Sequence, residues 1–347
     1  MRCSCLFSGS EYYWVGLTDR AHTGQYTWQH SWTEAVWTNW GSGEPDGGGQ
    51  HCVMIWGGHQ YYWADFNCKY DTSTSGGQIH ALCEAGPGGD NPQHSVLWLG
   101  NSYTFRNNVP QLTSQLAAAD GRSLIYDVHA ESSWTWKLHS KSEETLAKIQ
   151  SRQWDSVVLQ EQSTRPAEDD AEVCLESVPY LDLLAQQVRE RGEDTVLQFY
   201  LTWARPHGLD SECPQHPQFC SFSSMQDRLT QSYLDFACMK TPSRVAPVGE
   251  AFRLLHGDSS FPFLSLYEDN GSDHHASLTG SYLSAAVHYA VMFNTTVVGN
   301  TFTADLDTNT VRKLQEAATT AAFSRDWNIA SSKDCQQCMC GCQETNR

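Results

Sequence analysis

The sequence contains no apolar run of about 18 residues, which is the length that a membrane-spanning helix requires. Its start, Met-Arg-Cys-Ser-Cys-Leu-Phe-Ser-Gly, lacks the apolar core of a secretory signal peptide. Basic residues are scarce as well, with 22 Lys and Arg against 40 Asp and Glu and a formal net charge of −18 at pH 7. This balance argues against proteins that bind nucleic-acid phosphates or anionic membranes through basic patches. We therefore expect neither a nucleic-acid partner nor a membrane span.

Internal repeats and low-complexity tracts are also missing, as are the Gly-x-Ser-x-Gly and His-Glu-x-x-His motifs of other hydrolase classes. The 347 residues, of which 40% are hydrophobic and 12% aromatic, are instead sufficient for two packed domains. The same composition argues against a disordered chain.

Cysteine is plentiful, and 13 residues are a high number for a cytosolic enzyme. Many fall in local sets: Cys52 and Cys68; Cys213 and Cys220; and Cys335, Cys338, Cys340 and Cys342. Such sets are typical of disulfides, and we predict a bridge between Cys213 and Cys220, which flank a proline-containing loop. The sequons at Asn270 and Asn294 agree with a secreted glycoprotein. We expect an extracellular protein whose true N-terminus, with its signal peptide, is missing from this chain.

Two cysteine questions stay open at this level. The C-terminal set favours disulfides in an oxidising compartment, although the same thiolates are ligands for a soft metal. Cys174 and Cys238 fall on separate predicted helices, and the sequence does not say whether they meet.

The composition changes sharply near residue 85. Residues 1–84 are rich in tryptophan and in turn residues without a helical period, which predicts a loop-rich, mostly β segment. The tryptophans are Trp14, Trp28, Trp32, Trp37, Trp40, Trp56 and Trp63. Residues 85–93 form a Gly/Pro linker, residues 94–323 a second domain and residues 324–347 a cysteine-rich tail.

The second domain alternates short apolar runs with helical stretches. Strands are predicted at 96–99, 124–128, 157–159, 196–200 and 245–248, and helices near 109–119, 143–150, 171–191, 225–239 and 278–292. Five strands alternating with helices favour an α/β fold with a parallel sheet that is covered on both faces. In such folds ligands bind at the carboxyl ends of the strands.

Several motifs of the first segment occur in a recognisable order. They are Trp14-Val-Gly-Leu17, Trp28, Thr38-Asn-Trp40, Gly43-Glu-Pro-Asp46, Cys52, Trp63-Ala-Asp65, Cys68 and Leu82-Cys-Glu84. Together they resemble the second half of a C-type lectin-like domain, an α+β module. The resemblance implies that Glu44, Asp46 and Asp65 are the candidate ligands for calcium, which prefers oxygen donors. It also implies that Cys52 pairs with Cys68.

Two departures weaken the implied calcium site. Gln50 stands where sugar-binding members usually have Glu, and Ala64 replaces the usual Asn. The alternative is that Glu44-Pro45-Asp46 is simply a turn that binds no calcium. We expect calcium to bind this module poorly or not at all.

The first strand of the second domain ends in Gly100-Asn-Ser-Tyr-Thr104, which places Ser102 at its carboxyl end just before a helix. Backbone N–H groups at a helix start can stabilise an oxyanion there, although a helix-capping serine gives the same pattern. Residues 269–283 add carboxylates and two histidines in one loop before the last predicted helix. Because a serine attacks a carbonyl only when a base takes its proton, the two stretches together supply nucleophile, base and acid.

Further blocks join these two stretches in order. They are Trp154-Asp-Ser-Val-Val-Leu-Gln-Glu-Gln-Ser163, Thr202-Trp-Ala-Arg205, Val245-Ala-Pro-Val-Gly-Glu250 and His275-Ala-Ser-Leu-Thr-Gly-Ser-Tyr282. With Gly100-Asn-Ser-Tyr103, they resemble a divergent branch of the SGNH (GDSL-like) hydrolases. The resemblance implies a three-layer, flavodoxin-like α/β fold with a five-stranded parallel sheet. It further implies Ser102 as nucleophile, His275 as base and no cofactor for catalysis.

The oxyanion blocks depart from that family. Its Asn donor is replaced by Gln162, which carries the same amide group on a longer side chain. Its second-block glycine is replaced by Ser133 or Ser132, and the backbone N–H survives that change if the turn tolerates a side chain.

The acid departs as well, because its usual position, three residues before the histidine, is Ser272. Asp273 and Asp269 are the alternatives, and we favour Asp273. The adjacent His274 has no acid at the usual spacing.

Two further residues have competing interpretations. The stretch Gly257-Asp-Ser-Ser260 matches the nominal motif of the family almost literally. It follows a predicted helix rather than a strand, so we expect the match at Ser259 to be a coincidence. Arg205 either binds an anionic substrate group or pairs with a neighbouring carboxylate.

The sequence therefore predicts a secreted serine esterase that removes acyl groups, O-acetyl in particular, from carbohydrates. One alternative is a catalytically inactive carbohydrate-binding protein that uses the hydrolase fold as a scaffold. Another is an esterase for lipid or other small acylated molecules, with an incidental lectin-like part. The preference for glycans rests on analogy with the lectin-like neighbour.

Overall fold

The computed structural model describes residues 12–19, 23–28, 40–56, 62–67, 79–81 and 93–329. The chain divides into two compact units, Met1–Gly89 and Asp90–Arg347. Each unit has its own cluster of buried hydrophobic side chains. The boundary lies within the stretch that the sequence predicts as a linker.

The described part of the first unit is a small, mainly antiparallel sheet. Its strands are β1 (Tyr12–Thr18), β2 (Thr27–Trp28), β3 (Cys52–Trp56), β4 (Tyr62–Phe66) and β5 (Ile79–Ala81). Their order is β2-β1-β3-β4, and β5 runs parallel to β1. The buried side chains of Leu17, Tyr26, Val53, Ile55 and Trp63 form the core.

The second unit is built on a six-stranded sheet in the order β11-β10-β9-β8-β6-β7. The strands are β6 (His94–Gly100), β7 (Leu124–Ala130), β8 (Ser156–Leu159), β9 (Val196–Tyr200), β10 (Ser243–Ala246) and β11 (Asn328–Ile329). Strands β6 to β10 are parallel, and β11 is antiparallel to β10. The central strands are buried almost throughout, which agrees with a parallel sheet that is covered on both faces.

Helices connect these strands. They are α1 (Ser102–Phe105), α2 (Val109–Ala119), α3 (Trp136–His139), α4 (Glu143–Gln150), α5 (Asp170–Glu176), α6 (Val178–Arg191), α7 (Phe222–Met239), α8 (Val248–His256), α9 (Leu278–Phe293) and α10 (Thr308–Phe323). Helix α9 packs against α2 and α10, whereas α6 packs against α3 and α4. The predicted α/β fold with a mostly parallel sheet is confirmed. Among the described residues, no helix has the length and apolar character that crossing a bilayer requires.

Several predicted elements need correction. The strand predicted at 245–248 ends at Ala246, because Pro247 has no N–H for the ladder and Val248 opens α8. The single helix predicted at 171–191 is two helices that meet at Ser177, just before Pro179. Helix α10 and strand β11 were not predicted, and β11 extends the sheet beyond residue 323.

The strand order places a crevice at the carboxyl ends of β6 and β8. Strand β6 lies between β7 and β8, so the chain reverses its direction across the sheet at this point. Ligands of open α/β sheets bind at such switch points. Ser102 lies two residues after the end of β6 here, and Gln160 directly follows β8.

Candidate active site

The turn after β6 requires glycine at position 100. A Cβ there would lie 2.3 Å from Thr104 Oγ1 and 2.7 Å from Gln160 Oε1. Gln160 Oε1 accepts hydrogen bonds from the Asn101 N–H at 2.9 Å and from Thr104 Oγ1 at 3.0 Å. Because Gln160 is fully buried, it fixes the turn that presents Ser102. This role of Gln160 was not predicted, although Gln160 belongs to the block Trp154–Ser163 that resembles the hydrolase family.

Ser102, His275 and Asp273 form a hydrogen-bonded chain. His275 Nε2 lies 3.0 Å from Ser102 Oγ, and His275 Nδ1 lies 2.7 Å from Asp273 Oδ1. The same carboxylate oxygen accepts the backbone N–H of His275 at 3.1 Å. The arrangement orients the imidazole so that Nε2 can take a proton from the serine hydroxyl.

The environment of Asp273 favours its ionised form. Burial opposes ionisation, but hydrogen bonds from His275 and the charge of Arg106 lower the pKa of Asp273 below its ordinary value. Arg106 Nη1 lies 3.6 Å from Asp273 Oδ2. The other candidate acid, Asp269, is exposed and uses its backbone carbonyl to accept from Ser272. Of the two candidate carboxylates, the structure therefore brings Asp273 to the imidazole.

Two aromatic residues anchor the loop that carries His274 and His275 through hydrogen bonds to its backbone. Tyr103 Oη and Trp203 Nε1 both donate to the carbonyl oxygen of His274, at 3.2 and 3.1 Å. The sequence offered a signal for both residues, since Tyr103 follows the nucleophile and Trp203 stands in a recognised block.

The second-block position predicted as Ser133 or Ser132 lies in a tight turn after β7. The Trp134 N–H donates to the Glu131 carbonyl, and Ser133 has a φ of 62°, in the left-handed region that favours glycine. Asn101 Nδ2 donates to the Trp134 carbonyl at 2.9 Å, which ties this turn to the nucleophile block. The turn thus accommodates a serine at position 133.

Gln162, the predicted amide donor, follows β8. Its Oε1 accepts from the Thr164 N–H, the Thr164 hydroxyl and the Arg165 N–H at 2.9 to 3.2 Å. Among the described residues, its Nε2 makes only a long contact of 3.5 Å, with Ser163 Oγ. The side chain is therefore held through its oxygen, and most of the donor capacity of its nitrogen is unused.

Glu161 is a fully buried carboxyl group between the two oxyanion blocks. It accepts from the Gln162 N–H at 2.7 Å and from the Trp136 N–H at 3.2 Å. Burial, only partly offset by these backbone hydrogen bonds, raises its pKa to about 8. Glu161 therefore connects the turn after β8 to helix α3 near the Ser133 turn, a role that the sequence pattern does not indicate.

Arg205 and Ser259 differ in their surroundings. Arg205 is half-buried, and no carboxylate lies within ion-pair distance of it in the described parts of the chain. No described residue forms a hydrogen bond with its buried Nε. Its charge lowers the pKa of Tyr103, against the larger effect of burial, which raises it. Ser259 instead lies exposed just after α8, beside Asp258, which binds Lys313 and Ser260.

The three candidate calcium ligands of the first unit converge. One oxygen each from Glu44, Asp46 and Asp65 lies within 4.8 Å of the others. Burial raises the pKa of Glu44, and its hydrogen bond with Asp65 and the charge of Asp46 act in the same direction. Glu44 Oε2 is buried and has no hydrogen-bond partner within the described part of the chain. In type and position these oxygens fit a calcium ion.

The Asp65 carboxylate, however, already accepts hydrogen bonds that stabilise this loop. Its two oxygens accept from the Asp46 and Gly47 N–H groups at 3.0 Å and from the Tyr26 hydroxyl at 3.1 Å. Gln50 Nε2 donates to Asp46 Oδ1 at 2.6 Å, and Ala64 is buried. The carboxylates therefore have protein partners that compete with a cation.

The predicted disulfide between Cys213 and Cys220 is present, with an S–S distance of 1.99 Å. Cys52 is disulfide-bonded, but its predicted partner Cys68 lies outside the described residues. Cys174 and Cys238 are disulfide-bonded as well. The C-terminal cysteines lie outside the described residues.

Comparison with known proteins gives different relatives for the two units of the chain. Residues 5–74 match the model of the lectin C-type domain family. A perlucin-like protein of Mytilus galloprovincialis is 28% identical over 60 residues, which are 17% of this chain. The match spans 38% of that relative's length.

Solved structures of other proteins resemble the second unit. A DUF4886 family protein from Bacteroides uniformis, 19% identical, covers 70% of this chain and 99% of its own, with a TM-score of 0.55. A candidate SGNH hydrolase from Slackia heliotrinireducens, 25% identical, covers 58% of this chain and 100% of its own, with a TM-score of 0.46. The chain thus joins a segment similar to the lectin C-type domain family to a unit that shares its fold with the DUF4886 family protein. The predicted resemblance of the first segment to C-type lectin domains is thereby confirmed, and for the second unit the likeness concerns the fold.

Proposed function

We propose that this protein is a secreted serine esterase of the SGNH type that removes acyl groups, O-acetyl in particular, from carbohydrates. The observation that carries the proposal is the hydrogen-bonded chain from Ser102 through His275 to Asp273 at the carboxyl edge of the sheet. The lectin segment supports a carbohydrate substrate, and the disulfides support secretion.

The chemistry follows from the orientation of the imidazole. Ser102 Oγ attacks the acyl carbonyl while His275 Nε2 accepts the serine proton. The sugar oxygen then takes that proton from His275 and leaves as a hydroxyl group. Water hydrolyses the acyl-serine with the same base. The backbone N–H groups of Ser102 and Ser133 and the Gln162 amide are the proposed donors to the oxyanion.

A fluorophosphonate probe tests the proposal on the full chain. We expect covalent labelling that maps to Ser102, that is lost in Ser102→Ala and that persists in Ser259→Ala. Hydrolysis of acetylated methyl glycosides should follow the same pattern. Hydrolysis of acetylated glycerol but not of acetylated sugars would instead support an esterase for lipid or other small acylated molecules.

The second candidate is an inactive carbohydrate-binding protein. One observation favours it: Gln162 is held through its oxygen by Thr164 and Arg165, in a block that departs from the family pattern. An unlabelled Ser102 in a folded chain that still binds sugars would support this candidate.

A further inference from the structure

A second histidine lies beside the Ser102 chain and has no part in the proposed acyl transfer. His274 Nδ1 is 3.2 Å from Asp273 Oδ1, and His275 Nδ1 is 2.7 Å from the same oxygen. The two imidazole rings have centroids 4.1 Å apart. All three side chains are partly accessible, with 31% of Asp273 and His274 and 14% of His275 exposed.

The three donors lie close to the separations that a small cation needs, and the 2.7 Å pair of His275 Nδ1 and Asp273 Oδ1 opens slightly when a cation enters. Tetrahedral zinc with bonds of about 2.0–2.1 Å to nitrogen and oxygen holds its ligand atoms about 3.3 Å apart. One ligand atom from each residue lies within 4.8 Å of the others, and the two measured separations are 2.7 and 3.2 Å. Two imidazoles and one carboxylate are a common zinc ligand set, with the fourth position left to water.

We propose that Asp273, His274 and His275 form a binding site for zinc and that bound zinc blocks the nucleophile Ser102. The only cation within ion-pair distance of Asp273 besides the two histidines is Arg106, in the part of the chain that the structure describes. Arg106 contacts the other carboxylate oxygen, at 3.6 Å, and 41% of its side chain is exposed. It can therefore withdraw into solvent when a dication binds.

The block follows from the protons of the imidazole. A neutral imidazole has one N–H, and zinc bound at His275 Nδ1 leaves that proton on Nε2. Nε2 then has no lone pair to accept the proton of Ser102 Oγ, which lies 3.0 Å away. Zinc also occupies the carboxylate that orients the ring. The inhibitory step rests on the proposed esterase function, whereas zinc binding does not.

Binding is tested first, by competition with a chromophoric zinc chelator on the full-length Ser102→Ala protein. We expect His274→Gln in this background to weaken one zinc site at least about tenfold, since it removes one of three ligands. His256→Gln is the matched control, because His256 is an exposed histidine that stacks on Phe222. Equal zinc binding by the two variants would overturn the proposed site. The bound zinc would then belong to cysteines or carboxylates elsewhere in the chain.

Activity is tested second, with an acetyl ester substrate. We expect about 100 μM zinc to lower wild-type turnover at least about tenfold and EDTA to restore it. The His274→Gln variant should resist zinc. Its turnover without zinc should stay within about threefold of the wild-type value. Zinc that binds through His274 without lowering turnover would overturn the block of Ser102. A protein without turnover or fluorophosphonate labelling would refute the esterase and leave the binding result to decide the zinc site.

Discussion

Tyr103 and Trp203 stack with their ring centroids 4.2 Å apart and their planes 4° from parallel, and both donate a hydrogen bond to the carbonyl oxygen of His274. This pair connects the residue after the proposed nucleophile to the loop that carries the proposed base. Because both rings are buried, the loop has little freedom to move away from Ser102. The distance between Ser102 and His275 thus depends on an aromatic pair whose two members come from different segments, Tyr103 after β6 and Trp203 after β9.

Trp203→Phe should lower kcat for an acetyl ester about three- to tenfold while KM changes little, because it removes one hydrogen bond that positions the His275 loop. Trp154→Phe is the control, since Trp154 Nε1 donates to the Lys148 carbonyl away from this site. Steady-state kinetics on both variants check the prediction. Equal kcat values for the two variants would contradict the positioning role.

Ser102→Ala should lower turnover of p-nitrophenyl acetate at least about 10³-fold, which is the scale of nucleophile loss in serine hydrolases. Circular dichroism should show an unchanged fold. Ser259→Ala should change little, because Ser259 lies exposed after α8. Loss of turnover in Ser259→Ala with turnover retained in Ser102→Ala would move the active site elsewhere.

Arg205→Met should lower kcat/KM at least about tenfold for an acetylated uronic acid but not for the matching neutral acetylated glycoside. The reason is that the described residues offer this half-buried guanidinium no carboxylate partner, so a substrate anion can take that place. Kinetics on the two esters provide the comparison. The same loss on both substrates would indicate a structural role for Arg205.

Glu161→Gln should change how stability depends on pH. The folded-state pKa of Glu161, about 8, lies above the ordinary value near 4.5 of the unfolded chain. Between these values the folded state keeps a proton that the unfolded state loses, so the free energy of unfolding falls by up to about 1.4 kcal/mol per pH unit as pH rises. The fall ends above the folded-state pKa.

In Glu161→Gln that contribution is absent, so its stability relative to wild type should increase from about pH 5 to about pH 8. Urea unfolding across this range measures the difference, and exposed Glu143→Gln is the control. A constant difference between Glu161→Gln and wild type would show that the carboxyl group stays ionised in the folded protein.

The lectin segment should bind calcium with a dissociation constant no tighter than about 10⁻⁴ M. Ala64 has no oxygen in its side chain, and the Asp65 oxygens already accept hydrogen bonds from the loop and from Tyr26. Isothermal titration of the full chain, with Asp46→Ala to identify the site, measures the affinity. Tighter binding that Asp46→Ala removes would restore a calcium-dependent role.

The sequence by itself was sufficient for the parallel α/β architecture and for the lectin segment. Buried parallel strands are near-continuous apolar runs, and Ser102 stands near the carboxyl end of such a strand, where ligands of these sheets bind. Short or polar elements were harder to predict: β11 has two residues, and α10 is stabilised by packing against α8 and α9 rather than by a strong local pattern.

Only the tertiary structure decided between residues that local spacing leaves equivalent. Asp273 rather than Asp269 reaches the imidazole, and the chain turns through three residues of positive φ, Asp269, Asn270 and Gly271, before it arrives there. Likewise, whether Arg205 has a carboxylate partner and what surrounds Glu161 depend on side chains from distant segments. Sequence patterns report the neighbours of a residue along the chain, whereas partners and burial depend on neighbours in space, and these exist only once the sheet has formed.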